Sequence, residues 1–155
     1  MSSKNVLAHV ETIHGLNYLT FRKWLYSESF WEEILPCASQ FTFLHPNRFD
    51  LVFREEEFPL EGQITLIEEG EYEPGAFCIL LYMKPNFLIS AFDSRIRCRV
   101  LPGNCLKIGF FVQELEFAPD ALRYGSLFGF GLRLRKLVRQ AMIRLQKRTE
   151  LTLIE

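Results

Sequence analysis

The chain has 155 residues, of which 48% are hydrophobic and 24% are charged, and its formal net charge at pH 7 is -1. This composition is typical of a folded globular domain and excludes a disordered or collagen-like chain. The near-zero charge argues against nucleic acid as a partner. The 15 phenylalanines indicate a core of large rings, or one that leaves apolar surface for a guest molecule.

Positive and negative charges lie in different parts of the chain. Residues 123 to 148 contain eight Lys or Arg and no acid, whereas residues 54 to 73 contain eight Glu and one Arg. This separation indicates either two solvated faces or the steering of a partner. The chain starts without the apolar run of a signal peptide, and the apolar residues 76 to 83 are too few to span a bilayer. We therefore expect a cytoplasmic location.

The sequence carries no recognisable catalytic or metal-binding motif. The four cysteines have neither a CxxC spacing nor a histidine companion, which favours reduced thiols in the core over a disulfide or a metal site. Dinucleotide-binding, P-loop, zincin and nucleophile-elbow motifs are all missing. We therefore expect no metal and no cofactor, and we assign no catalytic residue.

Hydrophobic periodicity predicts the first three elements of the chain. β-branched and apolar residues over 5–13 indicate a strand, and apolar spacings of three and four over 16–26 indicate a helix. Ser29 followed three residues later by Glu32 has the pattern of a capping box. It predicts a second short helix that ends before Pro36.

From residue 38 the apolar period changes to two, and turn signals separate about six antiparallel strands. In the last of these strands, residues 105 to 117, the apolar parity changes between Phe110 and Leu115. Either a β-bulge or burial of both faces produces such a change. No linker interrupts the chain, so we predict one domain over residues 1–155.

The final segment, residues 126 to 148, is predicted to be a long helix with an apolar stripe about 100° wide. The stripe consists of Leu127, Phe130, Leu134, Leu137, Val138, Ala141 and Leu145. Such a stripe must lie on an apolar surface, and the sheet is the only large one available. The glycines at 125, 129 and 131 indicate a loop up to residue 126, a kink, a close backbone approach, or a helix that starts near Leu132.

The opposite face of this helix mixes cations with bulky apolar residues. The candidate membrane or partner surface comprises Phe128, Leu132, Arg135, Lys136, Arg139 and Ile143. This mixture is typical of a helix that lies on anionic lipid. It also suits a homodimer contact or packing against the N-terminal helices, and we favour these two structural alternatives over the membrane.

The chain resembles the SRPBCC proteins, the START and polyketide-cyclase superfamily, in the order of its elements. Within that superfamily it is most similar to the accessory-subunit family of carbon monoxide dehydrogenase. The similar stretches are FWEEILPCASQFTF (30–43), FPLEGQITLIE (58–68) and GSLFGFGLRLRKLVRQAMIRL (125–145). The resemblance implies an α+β helix-grip fold: a curved antiparallel sheet of about seven strands around a long C-terminal helix, with two short helices after strand 1. Residues 14 to 29 depart from the family pattern.

The resemblance further implies a cavity between sheet and long helix that holds lipids, sterols, polyketides or other apolar molecules. The candidate lining residues are Trp24, Trp31, Phe110, Phe111, Phe128, Phe130 and Leu134. Ordinary core packing is the alternative for each of them.

Three functions are consistent with these patterns. The abundant phenylalanine favours the binding or transport of a hydrophobic small molecule or lipid. The second is an accessory or maturation protein that contacts a membrane or a partner through its basic helix. The third is a cyclase or dehydratase type of enzyme, which requires a titratable side chain in the cavity.

Overall fold

A computed structural model of the protein describes residues 2–35, 39–45, 48–55, 58–85, 89–119 and 127–154, with side chains for residues 6–35, 65–68, 73–85, 89–119 and 131–152. The elements follow the predicted order of one strand, two helices, six strands and one helix. They are β1 (Ser2–His14), α1 (Tyr18–Trp24), α2 (Glu28–Ile34), β2 (Ser39–His45), β3 (Arg48–Glu55), β4 (Phe58–Glu73), β5 (Ala76–Met83), β6 (Ile89–Leu101), β7 (Cys105–Phe117) and α3 (Leu127–Ile154).

The strands form one sheet in the order β1-β7-β6-β5-β4-β3-β2, with every neighbouring pair antiparallel. The first strand thus pairs with the last, while the others follow each other as hairpins. The turn between β6 and β7 places Gly103 at φ +84° and Asn104 at φ +57°. Gly and Asn are the residues that tolerate this left-handed backbone, which explains the strong turn signal of the Pro-Gly-Asn sequence.

A β-bulge in β7 explains its change of apolar parity. Asp93 pairs with Glu114 and Ser94 with Val112, so Gln113 has no partner on β6. The extra residue shifts the inward positions from the parity of Val112 to that of Leu115, and both of these side chains are fully buried. Of the two alternatives that the sequence left open, the structure has the bulge, which also bends the strand.

The capping box predicted for the second helix is wrong. The N-cap of α2 is Ser27, whose backbone is extended (φ -110°, ψ 125°), and the helix begins at Glu28. Ser29 is therefore inside the first turn, where its hydroxyl lies 2.9 Å from that of Ser27 instead of capping a backbone amide. The side-chain cap is on α1, where the Asn17 carbonyl oxygen accepts a hydrogen bond from the Leu19 amide at 2.8 Å.

The long helix α3 contacts β1 and α2. It begins at Leu127, so the predicted alternative of a late start near Leu132 is wrong. Near its other end the Gln146 side chain holds the β1 backbone: Oε1 accepts from the His14 amide at 2.9 Å, and Nε2 donates to the His14 carbonyl at 3.1 Å. None of the described helices combines the length and apolarity that crossing a membrane requires.

Candidate functional site

An apolar cavity of about 150 Å³ lies between the sheet, the two short helices and α3. Its described lining consists of three walls with six residues each. The first comes from α1, α2 and their flanking residues: Phe21, Leu25, Phe30, Trp31, Ile34 and Leu35. The second comes from the sheet: Leu81, Met83, Phe92, Ile96, Ile108 and Phe110. The third comes from α3: Leu134, Leu137, Val138, Ala141, Met142 and Leu145.

The wall from the short helices is a fixed cluster of rings around Phe30. The Phe30 ring packs edge-on against Trp31, with centroids 5.6 Å apart, and against Phe21 at 6.3 Å. The Trp31 indole N–H donates a hydrogen bond to the Leu25 carbonyl at 2.8 Å. Because rings at such angles interlock and the indole is anchored to backbone, this wall is preorganised.

The α3 wall follows the apolar stripe that periodicity predicts, with one addition. Leu134, Val138 and Leu145 are each 8% exposed or less, and Met142, which the predicted stripe omitted, is equally buried at 7%. Met142 follows Val138 by four residues and therefore lies on the same face. Its flexible thioether can adapt to irregular space.

An arginine near the end of α3 fastens this helix to the ring cluster. The Arg148 guanidinium lies 4.6 Å from the centroid of Trp24 and 5.5 Å from that of Phe30. It also forms an ion pair with Glu33 of α2. Sequence patterns did not single out Arg148, because its partners are more than 100 residues away in the chain.

Three of the predicted lining residues border the cavity, namely Trp31, Phe110 and Leu134. Trp24 does not: it stacks behind Phe30, with centroids 5.7 Å apart and planes at 26°, and it lies under Arg148. Its ring therefore supports the wall from outside. The side chains of Phe128 and Phe130 lie outside the described part of the chain.

Phe111 was predicted to line the cavity, but it lies on the other face of the sheet. Successive residues of a strand point to opposite faces, so Phe110 and Phe111 cannot both point inward. The Phe111 ring covers Gly109, where an added Cβ would lie 2.5 Å from ring atom Cε2. The Arg97 guanidinium lies 5.4 Å from the ring centroid.

The predicted membrane or partner surface of α3 is exposed as far as its side chains are described. Leu132 is 52% and Ile143 49% exposed. Arg135, Lys136 and Arg139 are exposed between them. We call these five residues the basic face of α3. Phe128, the sixth predicted member, has no described side chain.

Titratable side chains are missing from the described lining of the cavity. His9 pairs with Glu11 at 3.0 Å, and His14 Nδ1 lies 3.1 Å from Cys105 Sγ. Neither pair borders the cavity. Within the described part of the chain, no three metal-binding side chains converge.

Two ionisable groups have shifted pKa values. Burial raises the pKa of the Cys98 thiol from its ordinary value of 9.0 to about 12. Burial, and secondly the charge of Glu68, raise the pKa of Tyr26. Cys78, Cys98 and Cys105 are free thiols, and Cys105 is half-buried where a core position was expected. Cys37 lies outside the described residues.

Together, the sheet, the long helix and the enclosed cavity define a helix-grip protein. No family model matches the chain, and no curated protein matches its sequence. Solved structures with this fold do match. One is a START superfamily protein from Mycobacterium smegmatis, with TM-score 0.73 and 8% identity over 94% of this chain and 97% of that chain.

Two further structures have the same architecture. A conserved protein from Geobacillus kaustophilus has TM-score 0.65 and 9% identity, covering 92% of this chain and 93% of that one. Norcoclaurine synthase from Thalictrum flavum, in complex with dopamine and hydroxybenzaldehyde, has TM-score 0.58 and 13% identity, covering 94% and 88%. The predicted helix-grip fold is thus confirmed. The resemblance to the accessory-subunit family of carbon monoxide dehydrogenase stays a prediction.

Proposed function

We propose that the protein binds a hydrophobic small molecule, or the hydrophobic part of a lipid, in the cavity between sheet and α3. The observation that carries the proposal is an internal space of about 150 Å³ with a wholly apolar described lining. At about 24 cal/mol per Å³, leaving this volume empty costs roughly 3–4 kcal/mol in lost contacts. A guest that fills the space recovers part of that free energy.

The cavity volume sets the size of the guest. Sites for drug-sized molecules usually have about 300 to 1,000 Å³, so a whole sterol or lipid exceeds this space. A cavity near 150 Å³ accommodates about one benzene ring. The single-ring molecules bound to the norcoclaurine synthase of similar fold are compatible with a guest of this size.

The chemistry of the lining favours binding over catalysis. A cyclase or dehydratase needs a side chain that moves a proton at the reacting atoms. The described walls contain only hydrocarbon, aromatic and thioether side chains. A proton donor or acceptor would have to come from outside the described residues, so the enzyme alternative has no observation in its favour.

Differential scanning fluorimetry with a panel of neutral apolar compounds and a lipid extract tests the proposal. A ligand that binds only the folded state at 100 times its Kd stabilises the protein by about 2.7 kcal/mol. We expect several compounds to raise the melting temperature by a few degrees. Unchanged melting temperatures with every compound, and no guest in native mass spectrometry of the purified protein, would contradict the proposal.

The basic face of α3 supports a second candidate function, contact with an anionic membrane as an accessory protein. Ile143 and Leu132 expose about half of their surface beside three cations. An interfacial helix presents this combination, because apolar side chains enter the acyl boundary while cations contact anionic headgroups. Each cation near such a surface contributes about 1 kcal/mol.

Sedimentation with vesicles, with and without anionic lipid, tests this second proposal. We expect binding that requires anionic lipid and that Ile143→Asp weakens at least tenfold. Leu19→Asp is the matched control, since Leu19 is an exposed apolar residue on a different helix, α1. Equal binding to neutral vesicles would contradict the proposal. A change from dimer to monomer on Ile143→Asp would assign the face to a homodimer instead.

A further inference from the structure

We infer that the cavity selects a neutral hydrocarbon group about the size of a single ring, and rejects the same group when it carries a hydroxyl or a charge. This inference rests on the proposed function and specifies the ligand class for that same site. It follows from three properties of the walls: their polarity, their fixed separation and their aromatic content.

The walls leave a polar guest group without a partner. Among the described lining side chains, the only N–H or O–H group is the indole N–H of Trp31, which already donates to the Leu25 carbonyl at 2.8 Å. A guest hydroxyl would lose its hydrogen bonds to water and gain none in return. We expect one hydroxyl to weaken binding by more than about tenfold.

The walls are held at a fixed separation, so the cavity cannot easily expand. On one side of α3, the Gln146 side chain makes two hydrogen bonds to the His14 backbone, at 2.9 and 3.1 Å. On the other side, Arg148 pairs with Glu33 and lies over the ring cluster. Spreading the walls for a larger guest would break one of these contacts, so size becomes a basis for selection.

The rings favour a planar guest. Phe30 and Trp31 lie at 78° to each other, which presents one ring face and one ring edge in the same wall. Phe110 supplies a further ring from the sheet. Since aromatic pairs prefer offset or edge-to-face contacts, an aromatic guest gains more here than an aliphatic group of equal volume.

Isothermal titration calorimetry of the full chain at pH 7 with four probes tests the inference. Toluene is the neutral ring, phenol adds a hydroxyl, benzoate adds a charge, and 1-methylnaphthalene adds a second ring. We expect toluene to bind, phenol to bind more than tenfold more weakly, and benzoate not to bind. Despite its greater hydrophobicity, 1-methylnaphthalene should bind no more tightly than toluene.

A pair of neighbouring α3 variants places the ligand. Ala141 lines the cavity and Gln140 beside it is exposed. Ala141→Leu should reduce toluene affinity at least tenfold, whereas Gln140→Leu should leave it unchanged. Circular dichroism and thermal unfolding verify that both variants fold, and the four-probe series on the unmodified chain is independent of them.

The outcomes separate the inference from the proposed function. Phenol or benzoate binding as tightly as toluene, or 1-methylnaphthalene binding more tightly, would overturn the inference and leave a hydrophobic binding site in place. Binding of none of the four probes, or toluene affinity that Ala141→Leu does not change, would overturn both.

Discussion

The two faces of α3 carry similar apolar residues in opposite environments. On the inner face Leu134, Val138 and Leu145 are each at most 8% exposed and line the cavity. On the outer face Leu132 and Ile143 are 52% and 49% exposed. The inner stripe is explained by the sheet that it covers. The outer residues have no such explanation within the described fold, so the two faces point to two different binding partners.

The largest expected effect of breaking this contrast is on the inner face. Leu145→Ala should lower the free energy of unfolding by about 2–5 kcal/mol, because it removes a buried side chain and enlarges a space that is already unfilled. Leu132→Ala on the outer face should change it by no more than about 0.5 kcal/mol. Urea unfolding of both variants measures the difference. Equal losses would contradict the assignment of the two faces.

A second contrast concerns the cations of the helix. Arg148→Met should lower the free energy of unfolding by about 1–2 kcal/mol, because it removes the stacking on Trp24 and Phe30 and leaves Glu33 unpaired. Arg139→Met, on the exposed face, is the matched control and should be near neutral. If chemical denaturation gives both variants the same stability, Arg148 does not fasten the helix.

The contrast between buried and exposed positions extends to the thiols of the sheet. Between pH 9.0 and about 12 the unfolded chain loses the Cys98 proton while the folded chain keeps it, so stability falls as pH rises through this window. From pH 8 to 10 the loss from this group is about 1 kcal/mol. Urea titrations at both pH values should show a smaller loss in Cys98→Ala. The same loss in both proteins would assign the pH dependence to other groups.

The smallest expected effect on stability is on the outer face. Ile143→Asp should change the free energy of unfolding by no more than about 0.5 kcal/mol, because half of the side chain is already in solvent. Thermal unfolding measures it. A loss above about 2 kcal/mol would mean that Ile143 belongs to the core, and the effect of this variant on vesicle binding would then be uninformative.

Local patterns predicted most of the fold. Period-two alternation located the strands, and the parity change in β7 marked the bulge at Gln113. The same alternation should have separated Phe110 from Phe111, and the prediction that both line the cavity ignored it. The capping box failed because Ser27 and Ser29 are both plausible caps, and only the backbone conformation distinguishes them.

The candidate site was less predictable, because it depends on contacts between distant parts of the chain. Arg148 joins α3 to α2 across 115 residues, and no local spacing encodes that contact. The abundance of phenylalanine also does not distinguish a filled core from a hollow one. That distinction depends on how far apart the Arg148 and Gln146 contacts hold the walls.

Crystallography under xenon pressure tests the central claim most directly, because xenon enters apolar cavities of this volume. We expect a xenon peak between Phe30, Phe110 and Leu134. Diffraction data that show no xenon there, with side chains filling the space between sheet and α3, would contradict the claim that the protein encloses an apolar cavity.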